Sequence, residues 1–294
     1  MKIMYLGTGA AEGFPAMFCS CPFCQNAKKI GKSEYRTRTQ ILIDDILSID
    51  FPPEAYSHSL EYNINLSRLK YLLVTHSHMD HFYAHDFILR GYKYAQMEED
   101  VLDIYGNKEV NKVFAECTAR EMKPEVEPHV QMHEISPYNI FSLGDYKVIT
   151  IPAQHSKTED ALLFYVENNG KGYLHLHDTG NINDCDLKYL ADNGARANLV
   201  SFDCTFVDNS YGSSARHMGI DGNMVMKQKL QSLGIIDDSS ELVITHFSHN
   251  ANPTRERLAK IEREYNVIAA YDGMTIEIWY ARNKAFYNHN KAPS

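Results

Sequence analysis

Three histidines and one aspartate crowd into the stretch Thr75-His76-Ser77-His78-Met79-Asp80-His81. Imidazoles packed this closely repel one another once protonated, whereas neutral rings beside a carboxylate form a donor set that a divalent metal organises. The set suits zinc, iron, manganese or nickel, and donor type alone does not choose among them. The apolar run Leu72-Leu73-Val74 comes just before it, so the chain leaves a strand and presents the donors at its end. A second cluster, Cys19-Ser20-Cys21-Pro22-Phe23-Cys24, is spaced too tightly for a disulfide scaffold in a chain this long. Read as a short loop, it offers three thiolates, one donor short of a closed tetrahedral zinc site. His249, in Thr245-His246-Phe247-Ser248-His249, is the leading fourth donor, with Cys204 and His58 as rivals. A redox role fits less well, because the spacing lacks the thioredoxin-type context.

The elements that must hold these residues are mostly strands. Ile-, Leu-, Val- and Tyr-rich runs predict strands at 2–6, 40–44, 46–50, 70–75, 102–105, 146–151, 161–167, 172–177, 199–203, 242–245, 267–270 and 275–279. Spacing of apolar residues at three and four predicts helices over 108–123, 184–192, 219–232 and 254–264. An early run of strands followed by strand–helix alternation implies two sheets packed face to face with helices outside. The 294 residues are 44% hydrophobic and 23% charged, which excludes a disordered or fibrous chain. No repeat, low-complexity tract or linker interrupts them, so one domain over residues 1–280 is expected, with 281–294 a polar tail. The net charge of −9 gives no polybasic footprint for nucleic acid. No apolar run approaches the roughly 18 residues of a membrane span, and Met1 to Thr8 lacks a signal-peptide block, so a soluble, cytoplasmic protein is expected.

The His-x-His-x-Asp-His pattern of residues 76–81 resembles the metallo-β-lactamase superfamily, and further strand-end motifs follow in that superfamily's order: Gln154-His155-Ser156, His177-Asp178-Thr179-Gly180 and Thr245-His246. The resemblance implies a four-layer αβ/βα sandwich, two mixed β-sheets with helices on the outer faces, over about residues 1–280. It also implies two divalent ions, Zn2+ or Mn2+: His76, His78 and His155 on one, Asp80, His81 and His246 on the other, and Asp178 between them. Two such ions, set against Asp80, Asp178 and a bridging hydroxide, leave a centre of about +1 charge that attracts an anion. A paired centre also lowers the pKa of bound water toward ~7 and stabilises attacking and leaving oxygens, which makes hydrolysis the natural chemistry.

The cysteine cluster narrows the resemblance to the cyclic-phosphate phosphodiesterases of the carbon–phosphorus lyase pathway. Their pattern can be followed through Gly7-Thr8-Gly9, Pro15, Cys19 to Cys24, Thr75 to His81, His155-Ser156-Lys157, Asp178-Thr179-Gly180, Thr245 to His249 and Asp272-Gly273-Met274. In that family the cysteines and the second His of T-H-x-S-H hold a structural zinc, which here implies Cys19, Cys21, Cys24 and His249. A histidine beside the metals acts there on the phosphate or the leaving oxygen. That role falls on His217, after Asp203-Cys204-Thr205 and a loop containing Tyr211 and Gly212. His217 is therefore expected to be the general acid or hydrogen-bond donor, with Asp80 catalytic as well as ligating. Asp50 and Asp203, both at strand ends, are candidates to orient the histidine rings. Phe51-Pro52-Pro53 replaces the family's Ala-Gly, and the stretch from Phe51 to Arg68 is expected to reshape the pocket mouth. His177 stands where a small residue is usual and is expected in the core or behind the donors; Cys117 and Cys185 are expected to be structural.

The function implied is hydrolysis of a small anionic phosphodiester, cyclic ribose-phosphate or nucleotide-like, by hydroxide held at the metal pair, in a homodimer. A tRNA 3′-end endonuclease shares the histidine motif, but a net charge of −9 with no long basic arm argues against a tRNA substrate. β-Lactam or thioester hydrolysis fits the cysteine cluster and the D-G-M ending less well. A non-catalytic binding module of the same fold should have lost donors, yet all seven positions are filled.

Overall fold

The computed structural model describes residues 1–209 and 216–279. The polar tail expected at 281–294, and Tyr211 and Gly212, lie outside the described residues. The first half of the chain builds β1 (Lys2–Gly7), α1 (Pro22–Ile30), β2 (Gln40–Ile43), β3 (Leu47–Ile49), α2 (Ala55–Glu61), β4 (Tyr71–Leu73), β5 (Leu102–Gly106), α3 (Lys108–Thr118) and β6 (Val130–Glu134). It continues through β7 (Ile140–Leu143), β8 (Tyr146–Pro152), β9 (Leu162–Asn168), β10 (Lys171–Leu176), α4 (Asp184–Asp192), β11 (Leu199–Asp203), α5 (Ile220–Ser232), β12 (Glu241–Thr245), α6 (Arg255–Tyr265), β13 (Ile268–Ala269) and β14 (Met274–Glu277).

Two mixed sheets of seven strands result, in the orders β14-β1-β2-β3-β4-β5-β6 and β13-β12-β11-β10-β9-β8-β7. Strand alternation decides which side chains meet between them. Ile3, Tyr5, Ile41, Ile43, Ile49 and Leu73 of the first sheet face Val148, Phe164, Val166, Tyr173, Leu199 and Val243 of the second in one buried cluster. On the far side of the first sheet, Leu6, Leu42, Leu72 and Ile104 pack with Ala55 of α2 and Val110 of α3. On the far side of the second, Leu163, Leu174, Val200 and Ile244 pack with Leu187 and Leu190 of α4, Met226 and Leu230 of α5, and Leu258 and Ile261 of α6. Helices, sheet, sheet and helices make the expected four-layer αβ/βα sandwich.

Five elements depart from the sequence reading. The cysteine cluster is not a simple loop: Pro22 takes the first turn of α1 and the Cys21 sulfur caps it by accepting from Cys24 N–H. The proline fits there because its missing N–H would be unpaired in any first turn. α2 arises within the 51–68 stretch, and β6 and β7 form the outer edges of their sheets. The helix expected to reach Lys123 ends at Thr118, six residues before Pro124 would have clashed with it. The 51–68 stretch meets the site at its start, where Phe51 N–H donates to the His81 carbonyl at 2.7 Å. Its remainder, with His58, Glu61, Tyr62 and Arg68, lines an open groove of about 1070 Å³ beside Met4 and Thr275, on the outer face of the first sheet.

The Gly-Thr-Gly and Asp-Gly-Met motifs meet and fasten the start of the chain to its end. Gly7 lets the end of β1 lie against the chain entering β2: a Cβ there would lie 1.9 Å from the Arg38 carbonyl oxygen. Asp272 accepts from the Thr8 hydroxyl on one oxygen and from Thr37 N–H and hydroxyl on the other, each at 2.6 Å. Buried Arg36 donates to the Thr8 hydroxyl at 2.9 Å and the Ala270 carbonyl at 2.7 Å, and its guanidinium lies 4.7 Å from the centre of the Phe247 ring. Phe247 follows His246, so this network fixes the strand end that carries a candidate metal donor. Asp272→Ala strips three donors of their acceptor and should lower unfolding free energy by about 2 kcal/mol. Denaturant titration against the wild type checks it, and an unchanged midpoint would contradict the fastening role.

Candidate metal centre

The donors come from five strand ends at one rim of the sandwich. His76 lies just past β4, His155 past β8, Asp178 past β10, Asp203 ends β11 and His246 follows β12. Asp50, Asp178 and His246 hold left-handed φ values of 62°, 54° and 61°. Non-glycine residues adopt such angles at a cost of about 1–3 kcal/mol, and where they persist the surrounding structure enforces them. Gly180 N–H donates to the Gln154 carbonyl and Gln154 N–H to the Thr179 hydroxyl, which ties the His155 loop to the Asp178 loop. Glu159, unremarked in the sequence, accepts from Ser77 N–H at 3.0 Å, Ser77 hydroxyl at 2.8 Å and Asn107 Nδ2 at 2.9 Å. It braces the turn between His76 and His78 from the side.

Asp178 is the hub. One oxygen lies 2.9 Å from His81 Nε2 and 3.4 Å from His76 Nε2. The other lies 3.1 Å from His217 Nδ1, 3.4 Å from His155 Nδ1 and 3.7 Å from His246 Nε2. Asp80 approaches His81 Nε2 at 3.3 Å, and His78 Nδ1 lies 2.8 Å from His76 Nε2. The donor atoms of His76, His78, His155 and Asp178 lie within 4.8 Å of one another, as do those of Asp80, His81, Asp178 and His246. These are the two sets named from the sequence. A further group of this kind joins Asp178, Asp203, His217 and His246.

Hydrogen bonding does not account for this convergence. His81 Nε2, His155 Nδ1, His246 Nε2 and Asp178 Oδ1 are all buried and, among the described residues, make no well-aligned hydrogen bond. Buried polar atoms are almost always paired, and four orphans aimed at one another form the donor arrangement that divalent cations satisfy. The residues therefore fit a metal pair.

Electrostatics agrees. Burial, aided by the neighbouring His81, drives the His76 pKa well below its ordinary value, leaving a neutral ring able to offer a lone pair. Burial would raise the Asp178 pKa, but His246 and His81 overcome it and hold the carboxylate well below the usual range. Burial opposes charge on His217 too, yet its hydrogen bond to Asp203 at 3.1 Å and the charges of Asp203 and Asp178 lift it to about 9. Asp50 accepts from His81 Nδ1 at 2.7 Å, so both strand-end carboxylates stand behind histidine rings. His175 and His177 lie in the interior, their ring centres 3.7 Å apart. His177 sits 2.6 Å from the Ser201 hydroxyl and 3.3 Å from the Thr39 hydroxyl, away from the donor groups.

The thiols form a second group. Cys19, Cys21, Cys24 and His249 place their donor atoms within 4.8 Å of one another, with Cys24 Sγ 3.6 Å from His249 Nδ1. Cys204 is buried against Val207, and His58 is engaged by Thr37 and Gln40, so neither rival reaches the cluster. Cys117 packs beside α3's core contacts, but Cys185 is exposed on α4 and is not a core residue. The Cys24 N–H, outweighing burial, draws Cys21 down to about 6, while burial pushes Cys24 up to about 11.

Residues 39–247 match the β-lactamase superfamily domain. No curated protein sequence matches the chain. Among solved structures, a diphosphatase of the PhnP family is 19% identical, with TM-score 0.69 over 95% of this chain and 98% of that one. Zn2+-bound PqqB from Methylobacterium extorquens is 18% identical, with TM-score 0.69 over 95% and 100%. The short form of human tRNase Z is 18% identical, with TM-score 0.66 over 95% and 100%. At these identities the likeness is one of fold.

After chelation, iodoacetamide should alkylate Cys21 fastest of the three clustered thiols at pH 7, with a rate that falls as pH drops through about 6. Cys24 should stay unmodified at that pH. Peptide mass mapping reads both; equal labelling of the two would contradict the arrangement.

Proposed function

The chain belongs to the β-lactamase superfamily, and from that membership we propose that it is a metal-dependent hydrolase of small anionic phosphodiesters, of the cyclic ribose-phosphate or nucleotide kind. The observation that carries this reading is the set of buried donor atoms, His81 Nε2, His155 Nδ1, His246 Nε2 and Asp178 Oδ1, that make no well-aligned hydrogen bond among the described residues. His76, His78 and His155 would hold one divalent ion, Asp80, His81 and His246 the other, with Asp178 shared. Bound there, two such ions would supply a water acidified toward pKa ~7 and a positive field for the phosphoryl oxygens. Cys19, Cys21, Cys24 and His249 would hold one structural zinc, closing the link between the start of α1 and the segment after β12.

The chain's own part begins with orientation. Asp50 accepts a hydrogen bond from His81 Nδ1–H and so turns its Nε2 toward Asp178. His217, at the partly open rim, keeps its proton at neutral pH because Asp203 accepts from Nδ1. An imidazolium there can give a proton to the departing alkoxide oxygen of a diester, a contribution of about 10²–10⁴ in rate. The net charge of −9 favours a small substrate over a tRNA, whose phosphates need a basic surface. Because one structural neighbour is a diphosphatase, a phosphoanhydride is the rival substrate class.

Metal analysis of the purified protein, coupled to hydrolysis of bis(p-nitrophenyl) phosphate, tests the reading. About three metals per chain and cleavage that vanishes on chelation and returns with manganese or zinc are expected. Full occupancy with cleavage of a diphosphate but no diester would move the assignment to the rival class. His217→Ala should lower kcat by about 10²-fold or more while leaving metal content intact. An equal kcat would remove His217 from the reaction.

A further inference from the structure

The donors around Asp178 are gripped from behind in two matching sets. In the first, the Thr75 hydroxyl lies 3.0 Å from His76 Nδ1 and 2.9 and 3.1 Å from the two Asp50 oxygens. His81 Nδ1 reaches Asp50 directly at 2.7 Å. In the second, the Thr205 hydroxyl lies 2.8 Å from His246 Nδ1 and 3.3 Å from Asp203 Oδ2. His217 Nδ1 reaches Asp203 directly at 3.1 Å. Each buried carboxylate thus holds one imidazole itself and a second through a threonine hydroxyl. The sets come from opposite sheets, the first from the ends of β3 and β4, the second from the end of β11.

Proton counting gives these hydroxyls a direction. A hydroxyl has one proton to give, and a carboxylate can only accept. Thr75 spends its proton on Asp50, so its oxygen must receive the proton of His76 Nδ1. His76 Nε2 is then a lone pair, and it lies 3.4 Å from Asp178. Thr205 can donate to Asp203 or to the His246 carbonyl at 3.0 Å; with its proton placed on either, its oxygen receives the proton of His246 Nδ1. That leaves His246 Nε2, the buried atom without a partner, as a lone pair too.

We propose that Thr75 and Thr205 are positioning residues that lock His76 and His246 in the Nδ1–H tautomer, so that both Nε2 lone pairs face Asp178 before a cation arrives. The proposal rests on the reading of this cluster as a metal centre. Thr205→Val keeps the side-chain outline and removes the hydroxyl; Thr205→Ser keeps the hydroxyl. Long-range 1H–15N spectra of the metal-free protein, with His246 identified by its loss in His246→Ala, report the tautomer. Competition for zinc against a chromophoric chelator reports affinity.

Wild type and Thr205→Ser should show the Nδ1–H form, whereas Thr205→Val should show mixed tautomers. Thr205→Val should also bind zinc about 10–100-fold more weakly at one histidine site, with the cysteine site unaffected. An Nε2–H tautomer in the wild type, or unchanged affinity in Thr205→Val, overturns the proposal. Should the valine variant fail to fold, the wild-type tautomer and the serine variant still decide it. A wild type that binds zinc only at the cysteines would overturn the metal-centre reading, and the tautomer would then test the hydroxyl's role separately.

Discussion

Unpaired donors buried around one carboxylate are the constraint on which the rest of this structure depends. Each buried polar atom without a partner costs about 1–3 kcal/mol, against a total stability of about 5–15 kcal/mol for a typical domain. Three such imidazole nitrogens converge on Asp178, whose own Oδ1 is a fourth, and three site residues, Asp50, Asp178 and His246, add left-handed backbone. A fold carries such a concentration of cost only where something repays it. Bound divalent cations would do so by taking up the lone pairs that the protein leaves bare.

The sandwich supplies the rigidity this requires. Side chains from both sheets interlock in one buried layer, and β4, β8, β10, β11 and β12 end near one another at the same rim. The network of Asp272, Arg36 and Thr8 then closes the two ends of the chain over the segment after His246. Rigid strands below and hydrogen-bonded loops above keep the donors close to Asp178.

Much of this was legible in the sequence because donor chemistry is local. His76 to His81 announce themselves by density, and the strand-end motifs at His155, Asp178 and His246 by order. The partners behind them were only half visible. Asp50 and Asp203 could be suspected from their positions at strand ends, but a threonine hydroxyl that bridges a carboxylate and an imidazole from different parts of the chain leaves no local mark. The same held for Glu159, whose partners Ser77 and Asn107 lie far away in sequence. Among the elements, β6 and β7 escaped because edge strands carry polar, half-exposed residues such as Gln131, His133 and Ser142. α1 escaped because a cysteine does the capping usually done by Ser, Thr, Asp or Asn.

The central claim is that cations occupy the space around Asp178, and anomalous diffraction from crystals of the protein as purified tests it most directly. Data collected above and below the zinc and manganese edges should give two peaks beside Asp178, each about 2.0–2.2 Å from its histidine and carboxylate donors, and a third among Cys19, Cys21, Cys24 and His249. Well-ordered density with no anomalous peak beside Asp178 would contradict the account.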